Sequence, residues 1–294
     1  MHPRFPIYVI SYKRWDSRLT VKALEEMQVD YKVVVDDFDY DKYAQVIDTK
    51  KILVLPNEYR KNYDTFWQDG GTTGSGAARN FVWDHAVASN SQFHWILDDN
   101  IDGFVRLHQN KKIKVLTGAY FRCMEDFVLR YENVALAGPH YRFFAPNRDK
   151  LPPFQVNTRV FSCILIRNDI PFRWRGRYNE DVDLSLRVLK AGWCTILFYA
   201  FLQNKAGTQS VKGGNTDEFY SKEGTFKKSK MIYEMHPDVV KLVWRYGRHH
   251  HYVDYGIFKK NKLIRKKDVK LENKINNYGM KLVDISKKEN VLLN

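Results

Sequence analysis

Apolar positions along the chain fall into short runs, separated by stretches whose apolar residues recur at helical spacing. Ile7 to Ser11 is a β-branched and aromatic run; a polar turn follows, and Leu19, Leu24 and Met27 then place a helix over Ser17 to Gln28. Tyr31 to Val35 is a second strand-like run ending in Asp36-Asp37, Tyr40 to Ile47 reads as helix, and Ile52 to Leu55 gives a third strand stopped by Pro56. Strands that alternate with helices predict an α/β fold with a mostly parallel sheet covered on both faces.

The pattern continues after a polar loop. Gly70-Gly71-Thr72-Thr73-Gly74-Ser75-Gly76 leads into Ala77-Ala78-Arg79-Asn80 and a helix to about Ser89. Phe93 to Leu97 is a fourth strand with Asp98-Asp99-Asn100 at its carboxyl end, where open parallel sheets bind ligands. Helix Phe121 to Tyr131, strand Val134 to Ala137, a loop from Pro139 to Asn157, strand Val160 to Ile166, helix Asp181 to Ala191 and strand Cys194 to Phe201 complete the reading. Beyond Gln203 the composition turns to Gly, Lys, Asn and Thr, with basic segments at Lys262 to Lys270 and Lys287-Lys288. The expected organisation is a core over residues 1–205 and a smaller, partly helical, basic region over 206–294.

Composition narrows the class. Of 294 residues 44% are hydrophobic and 15% aromatic, which excludes a disordered chain. Lys and Arg total 48 against 34 Asp and Glu, a formal charge of +14, so the long-range field attracts polyanions. Cys123, Cys163 and Cys194 are isolated from one another and read as buried free thiols of a reducing compartment. Met1 to Pro6 lacks a signal-peptide pattern, and the longest apolar run, Thr195 to Leu202, is too short for a bilayer. The expectation is a soluble, cytoplasmic protein with no membrane partner.

Three clusters carry candidate chemistry. A divalent cation such as Mn²⁺ or Mg²⁺ bridges diphosphate oxygens to carboxylates, and Asp98, Asp99 and Asn100 supply oxygen ligands on a rigid strand end. The same triplet is also common turn chemistry. The Gly-rich run lacks the Gly-Lys-Ser/Thr of a P-loop, yet it offers exposed amides and a helix start near an anion, with Arg79 as a forked phosphate partner. Asn179-Glu180-Asp181-Val182-Asp183 gathers carboxylates at a helix N-terminus, either for the helix dipole or to supply a general base, Asp181 or Glu180.

This order of elements resembles the GT-A glycosyltransferase fold over roughly residues 5 to 205. The resemblance implies a UDP-sugar donor, with Ser11 and Asp36 on the nucleoside, Arg79 and Asp99 near the diphosphate, and Asp98 and Asn100 flanking donor and metal. It further implies that Glu180-Asp181 carries the base of an inverting enzyme. The usual metal motif ends in Asp, whereas this one ends in Asn100.

The tail narrows the resemblance. Lys212-Gly213-Gly214-Asn215-Thr216, His236-Pro237-Asp238-Val239-Val240 and the segment Arg245 to Tyr255 resemble the TET-associated glycosyltransferases of bacteriophages. The resemblance implies transfer of sugars to 5-hydroxymethylpyrimidines, such as 5-hydroxymethylcytosine, in DNA of a phage-infected host. One of His236, His249, His250 or His251 would complete a metal shell, with His251 the chosen ligand; a basic, DNA-facing turn accounts for the three-His tract equally well. Trp244, Arg245, Tyr246, Arg248 and Tyr252 suit phosphate contacts and base stacking, although Val240, Val243, Trp244 and Gly247 also read as the apolar stripe of a core helix. Arg142, Arg148, Arg173, Arg175 and Arg177 add positive charge on the acceptor side. Two other functions fit parts of the pattern: a GT-A enzyme acting on a saccharide, lipid-linked or protein acceptor, and a non-enzymatic nucleic-acid-binding protein.

Overall fold

The computed structural model describes residues 1–68, 72–146, 151–206 and 221–269. Gly70-Gly71, Arg148, Lys212 to Thr216 and Lys287-Lys288 lie outside the described residues. The first half is built from β1 (Ile7–Ile10), α1 (Leu19–Glu26), β2 (Lys32–Val35), α2 (Tyr40–Ala44), β3 (Ile52–Val54), α3 (Asn57–Lys61), α4 (Gly76–Ala88) and β4 (Phe93–Asp98). Then come β5 (Ile101–His108), β6 (Lys111–Lys114), α5 (Ala119–Val128), β7 (Val134–Tyr141), β8 (Phe154–Val156), β9 (Cys163–Arg167), α6 (Glu180–Lys190) and β10 (Cys194–Lys205). The tail supplies α7 (Ser221–Met235), β11 (Val240–Arg245) and β12 (Arg248–Val253).

The strands β1 to β10 form one sheet in the order β3-β2-β1-β4-β9-β7-β10-β5-β6, with β8 paired to β10. Strands β1, β2, β3, β4, β6, β7 and β10 share one direction, and β5, β8 and β9 run against it. This mostly parallel α/β sheet flanked by helices is the expected GT-A-like architecture. Chain order reverses where β1 sits between β2 and β4, so the carboxyl ends of these three strands open onto one crevice.

Alternation along the strands makes two cores. Ile7, Val9, Val33, Trp95 and Leu97 face α1 and α5 with Leu24, Phe121 and Met124, whereas Tyr8, Val34 and Ile96 face α4 and α6 with Val82, Trp83 and Leu184. A buried carboxylate joins the first core: Glu125 accepts from Trp95 Nε1 at 2.8 Å and from the Arg4 backbone amide at 2.7 Å. Residues of the tail share a third cluster with α6, where Val182, Leu186 and Leu189 meet Ile232, Val240 and Phe258. Asn261 adds polar ties by donating to the carbonyls of Leu189 at 2.8 Å and Trp193 at 2.9 Å.

Two segments differ from the sequence reading. Strands β5 and β6 follow directly on Asp98-Asp99-Asn100, where no strand was expected; Gly103 interrupts the apolar run, and the Lys-rich β6 is a charged outer strand of the kind that blunts sheet edges. The stretch Val240 to Val253 is a β-hairpin rather than a core helix. Tyr246 (φ 52°) and Gly247 (φ 71°) form its two-residue turn with both residues left-handed, which suits the twist of paired strands. All three cysteines are free thiols, and burial pushes Cys123 and Cys194 up to about 11. No helix among the described residues is long and apolar enough to cross a membrane.

Candidate active site

The crevice at the strand ends is a cleft of about 630 Å³. Ser11 and Asp36 line it from the ends of β1 and β2; Asp98, Asp99 and Asn100 from the end of β4; Arg79 from α4; and Arg177, Glu180 and Asp181 from the approach to α6. His251 of β12 closes it from the tail. These ten residues, spread over 240 positions of sequence, are thereby brought together. Seven Lys and Arg line the cleft against five Asp and Glu, a balance that favours an anionic ligand.

Each acidic side chain has a distinct partner. Asp98 accepts from Arg79 Nη2 at 2.9 Å through one oxygen and from Lys205 Nζ at 2.7 Å through the other. Burial alone would raise its pKa, but Lys205 and Arg79 outweigh burial and hold the carboxyl at about 2. Asp99 is turned away, accepting from Ser11 Oγ at 3.1 Å and from Arg14, so it fixes the loop after β1. Asp36 pairs with Arg60, whose Nε lies 3.1 Å away. The rings of Tyr12 and Phe38 stand edge to face, 5.9 Å apart, at the rim beside it, and Phe38 is exposed.

The Gly-rich turn is anchored across the cleft. Ser75 Oγ donates to Glu180 Oε1 at 2.7 Å, and Arg79 lies 3.7 Å from the same oxygen while stacking on Trp174 at 4.7 Å. Nε and Nη1 of Arg79 are buried without a hydrogen-bond partner among the described residues. Gly76 is required by a close approach: a Cβ there would fall 1.8 Å from Tyr63 Oη, which donates to the Gly176 carbonyl at 2.9 Å. Asp181 differs from its neighbour. Its side chain accepts from the amide of the next residue, Val182, at 2.9 Å, and it lines the cleft.

The expected metal ligands do not form a ligand set. Both Asp98 oxygens face cations, and the Asn100 amide donates to the Ala206 carbonyl at 3.4 Å. Among the described residues no group of three or more His, Cys, Asp and Glu side chains is arranged to hold a metal ion. A dication at Asp98 would sit against the Lys205 ammonium, so the residues present do not fit one. Of the four candidate histidines only His251 lines the cleft; burial and the nearby Arg159 push its pKa down to about 4, so its ring is neutral at pH 7. His236 is buried against Asp183 at 2.9 Å, and His249 packs between Phe226 and Trp244.

The family model of the TET-associated glycosyltransferases matches residues 5–214. The chain belongs to this family. No curated protein matches it. The matched span covers every cleft-lining residue of the sheet and of α6 in this glycosyltransferase, and stops short of α7 and the hairpin.

Of the arginines expected on the acceptor side or at the DNA, Arg177 lines the cleft, and Arg142, Arg173, Arg175, Arg245 and Arg248 lie outside its lining. Arg175 is bound to Asp183, whose buried carboxylate also takes Arg187 at 2.7 Å and His236, so its guanidinium holds the base of α6 rather than facing a ligand. Arg245 and Arg248 pair across the end of the hairpin of the transferase, beside the exposed turn. Cross-strand register and alternation put Leu242, Trp244, His249 and His251 on one face of that hairpin and Lys241, Arg245, Arg248, His250 and Tyr252 on the other. Sequence reasoning missed Lys205, Arg14, Arg60 and Ser162. Position is all that marks Lys205 in the sequence: it ends a buried strand, as Asp98 ends β4.

Proposed function

We propose that this glycosyltransferase moves a sugar from a UDP-sugar to the hydroxymethyl group of a modified pyrimidine in DNA, 5-hydroxymethylcytosine being the reference acceptor. The observation that carries this is the one cleft lined both by Arg79 and Lys205, cations suited to a diphosphate, and by the Asp181 carboxylate. The uracil and ribose fit the end where Ser11, Asp36 and the Tyr12–Phe38 pair lie. The diphosphate extends toward Arg79, and the sugar lies between it and Asp181. Asp181 takes the proton of the acceptor hydroxyl as its oxygen attacks the anomeric carbon, while Glu180, held by Ser75, keeps the phosphate side and the acceptor side in register. Attack from the face opposite the leaving group gives inversion.

A polyanionic acceptor accounts for features that a small sugar acceptor does not. The chain carries +14, and the hairpin carries a face of Lys241, Arg245 and Arg248 with an exposed Tyr246 at its turn. A base inside a duplex has to be extruded or met single-stranded before its hydroxymethyl group can reach Asp181. DNA modification of this kind takes place in the cytoplasm of a phage-infected cell. The divalent cation expected from the acidic motif has no part in this reading, given how Asp98 is engaged. The test is UDP release from a panel of UDP-sugars with matched DNAs: release that depends on hydroxymethylated DNA supports the function, and release driven equally by unmodified DNA or by water contradicts it.

A further inference from the structure

We propose that Lys205 takes the place beside Asp98 that a metal ion would occupy, so that the diphosphate leaves against an ammonium and a guanidinium with no divalent cation. The proposal rests on the donor site described above and adds to it the means by which the leaving group is stabilised.

Local structure aims Lys205 at that position. It is the last residue of β10, and the register against β5 shifts between Asn204 and Lys205, a bulge of the kind that redirects a side chain near an active site. Its Nζ is held by Asp98 Oδ2 at 2.7 Å and by Ser162 Oγ at 2.8 Å. Ser162 in turn has left-handed backbone (φ 64°), receives the Asp98 amide on its carbonyl at 2.7 Å, and meets Tyr141 Oη at 2.6 Å. A non-glycine residue held in that conformation is sustained by the contacts around it, and here those contacts all converge on the Asp98–Lys205 pair.

Asn100 belongs to the same device. Its carbonyl accepts from the Ala206 amide at 2.9 Å, and its side-chain Nδ2 donates to the Ala206 carbonyl at 3.4 Å, so both polar groups of the residue after Lys205 are clasped. An Asp at position 100 would offer a metal ligand but no donor for that carbonyl. Asn100 and Lys205 therefore act together: the position that would bind a metal instead fixes the strand end carrying the cation.

In the transfer step the acceptor oxygen forms a bond to the anomeric carbon as the bond from that carbon to the β-phosphate oxygen breaks. The bonding pair stays on that oxygen, and the acceptor proton passes to Asp181. The new negative charge builds within reach of the Lys205 ammonium and the Arg79 guanidinium, both of which line the cleft, preorganised donors that need no reorganisation as the charge appears.

Calorimetry of the full chain with UDP, and with other nucleoside diphosphates as a panel, in EDTA and in Mn²⁺, tests this. The expected result is UDP affinity that agrees within about twofold between the two buffers. Lys205→Met weakens binding at least about tenfold in both, and Lys205→Arg recovers most of it. UDP binding that appears only with Mn²⁺ overturns the proposal and needs no variant to be folded. An unchanged affinity of Lys205→Met in EDTA overturns it as well. A chain that binds no nucleoside diphosphate in either buffer overturns the donor site itself, and with it this proposal, which separates the two failures.

Discussion

Ser75 Oγ donates to Glu180 Oε1 across 2.7 Å, joining the start of α4 to the start of α6, and the carboxylate next in sequence, Asp181, takes no part in that tie. Two adjacent acids at one helix N-terminus thus have separate duties, one positioning and one facing the acceptor. Asp181→Asn is expected to lower kcat by about 10²- to 10⁴-fold, the usual worth of a general base, with UDP affinity unchanged. Glu180→Gln should instead weaken UDP binding by about tenfold, because a neutral amide holds the Ser75 hydroxyl less firmly than the carboxylate and loosens the turn that leads into α4. Steady-state kinetics with UDP calorimetry separate the two; equal loss of UDP affinity in both variants contradicts the division.

Gly76→Ala tests the packing beneath that turn. The added methyl meets the buried Tyr63 hydroxyl, whose bond to Gly176 holds the segment before α6. Overpacking at such a site costs about 1–3 kcal/mol, visible as a lower Tm. The same change should reduce UDP affinity, since Arg79 lies one turn further along α4. Ala at 76 with unaltered Tm would show that Tyr63 moves freely.

The hairpin is expected to set DNA affinity rather than chemistry. Replacing Arg245 and Arg248 by Ala should lower the salt dependence of DNA binding by about 0.9 in log–log slope for each phosphate no longer neutralised, measured by fluorescence anisotropy across a salt series. Tyr246→Ala should cost about 1–3 kcal/mol if the exposed ring stacks on a base. UDP binding should be untouched in both cases. A flat salt response in the unmodified protein would remove the hairpin from the DNA interface.

Acid should destabilise the fold in a defined window. Burial pushes His94 down to about 4, and burial with Arg159 does the same to His140 and His251. The unfolded chain takes up protons at these residues near pH 6.5, and the folded chain only near pH 4, so stability falls as pH drops through that interval. Asp98, held at about 2, adds a loss that begins as pH falls into the ordinary carboxylate range and continues down to its own lowered value. His94 is fully buried with Nδ1 on Asn168, and its share is on the order of 3 kcal/mol at most. Denaturation midpoints between pH 7 and 4 should show a shallower slope in His94→Gln by about one proton.

Much of this site was legible because its residues stand at the ends of buried strands. Ser11, Asp36 and Asp98 each follow an apolar run, and parallel strands deliver their carboxyl ends to one place. The Glu180-Asp181 pair was legible for its position at a helix start, though not the assignment of one acid to positioning. Lys205 was read only as the end of the core, because a lone Lys after a strand carries no motif; its meaning lies in Asp98 and Ser162, 107 and 43 positions away. The hairpin was misread where two periods coincide: Val240, Val243 and Trp244 satisfy helical spacing, while Val240, Leu242 and Trp244 satisfy alternation, and the left-handed Tyr246-Gly247 turn decides for the strand. Strand β6 has almost no apolar signal, being Lys-Lys-Ile-Lys, and only its pairing with β5 defines it.

The most direct measurement is the mass of nucleosides released from DNA after incubation with the enzyme and each UDP-sugar. Hydroxymethylcytosine-containing and unmodified DNAs of the same sequence, and a saccharide acceptor, form the three arms. One added sugar on the hydroxymethylpyrimidine, with unmodified DNA and the saccharide unchanged, is the result predicted. Transfer to the saccharide, with hydroxymethylated DNA unaltered under every donor, would contradict the proposed function.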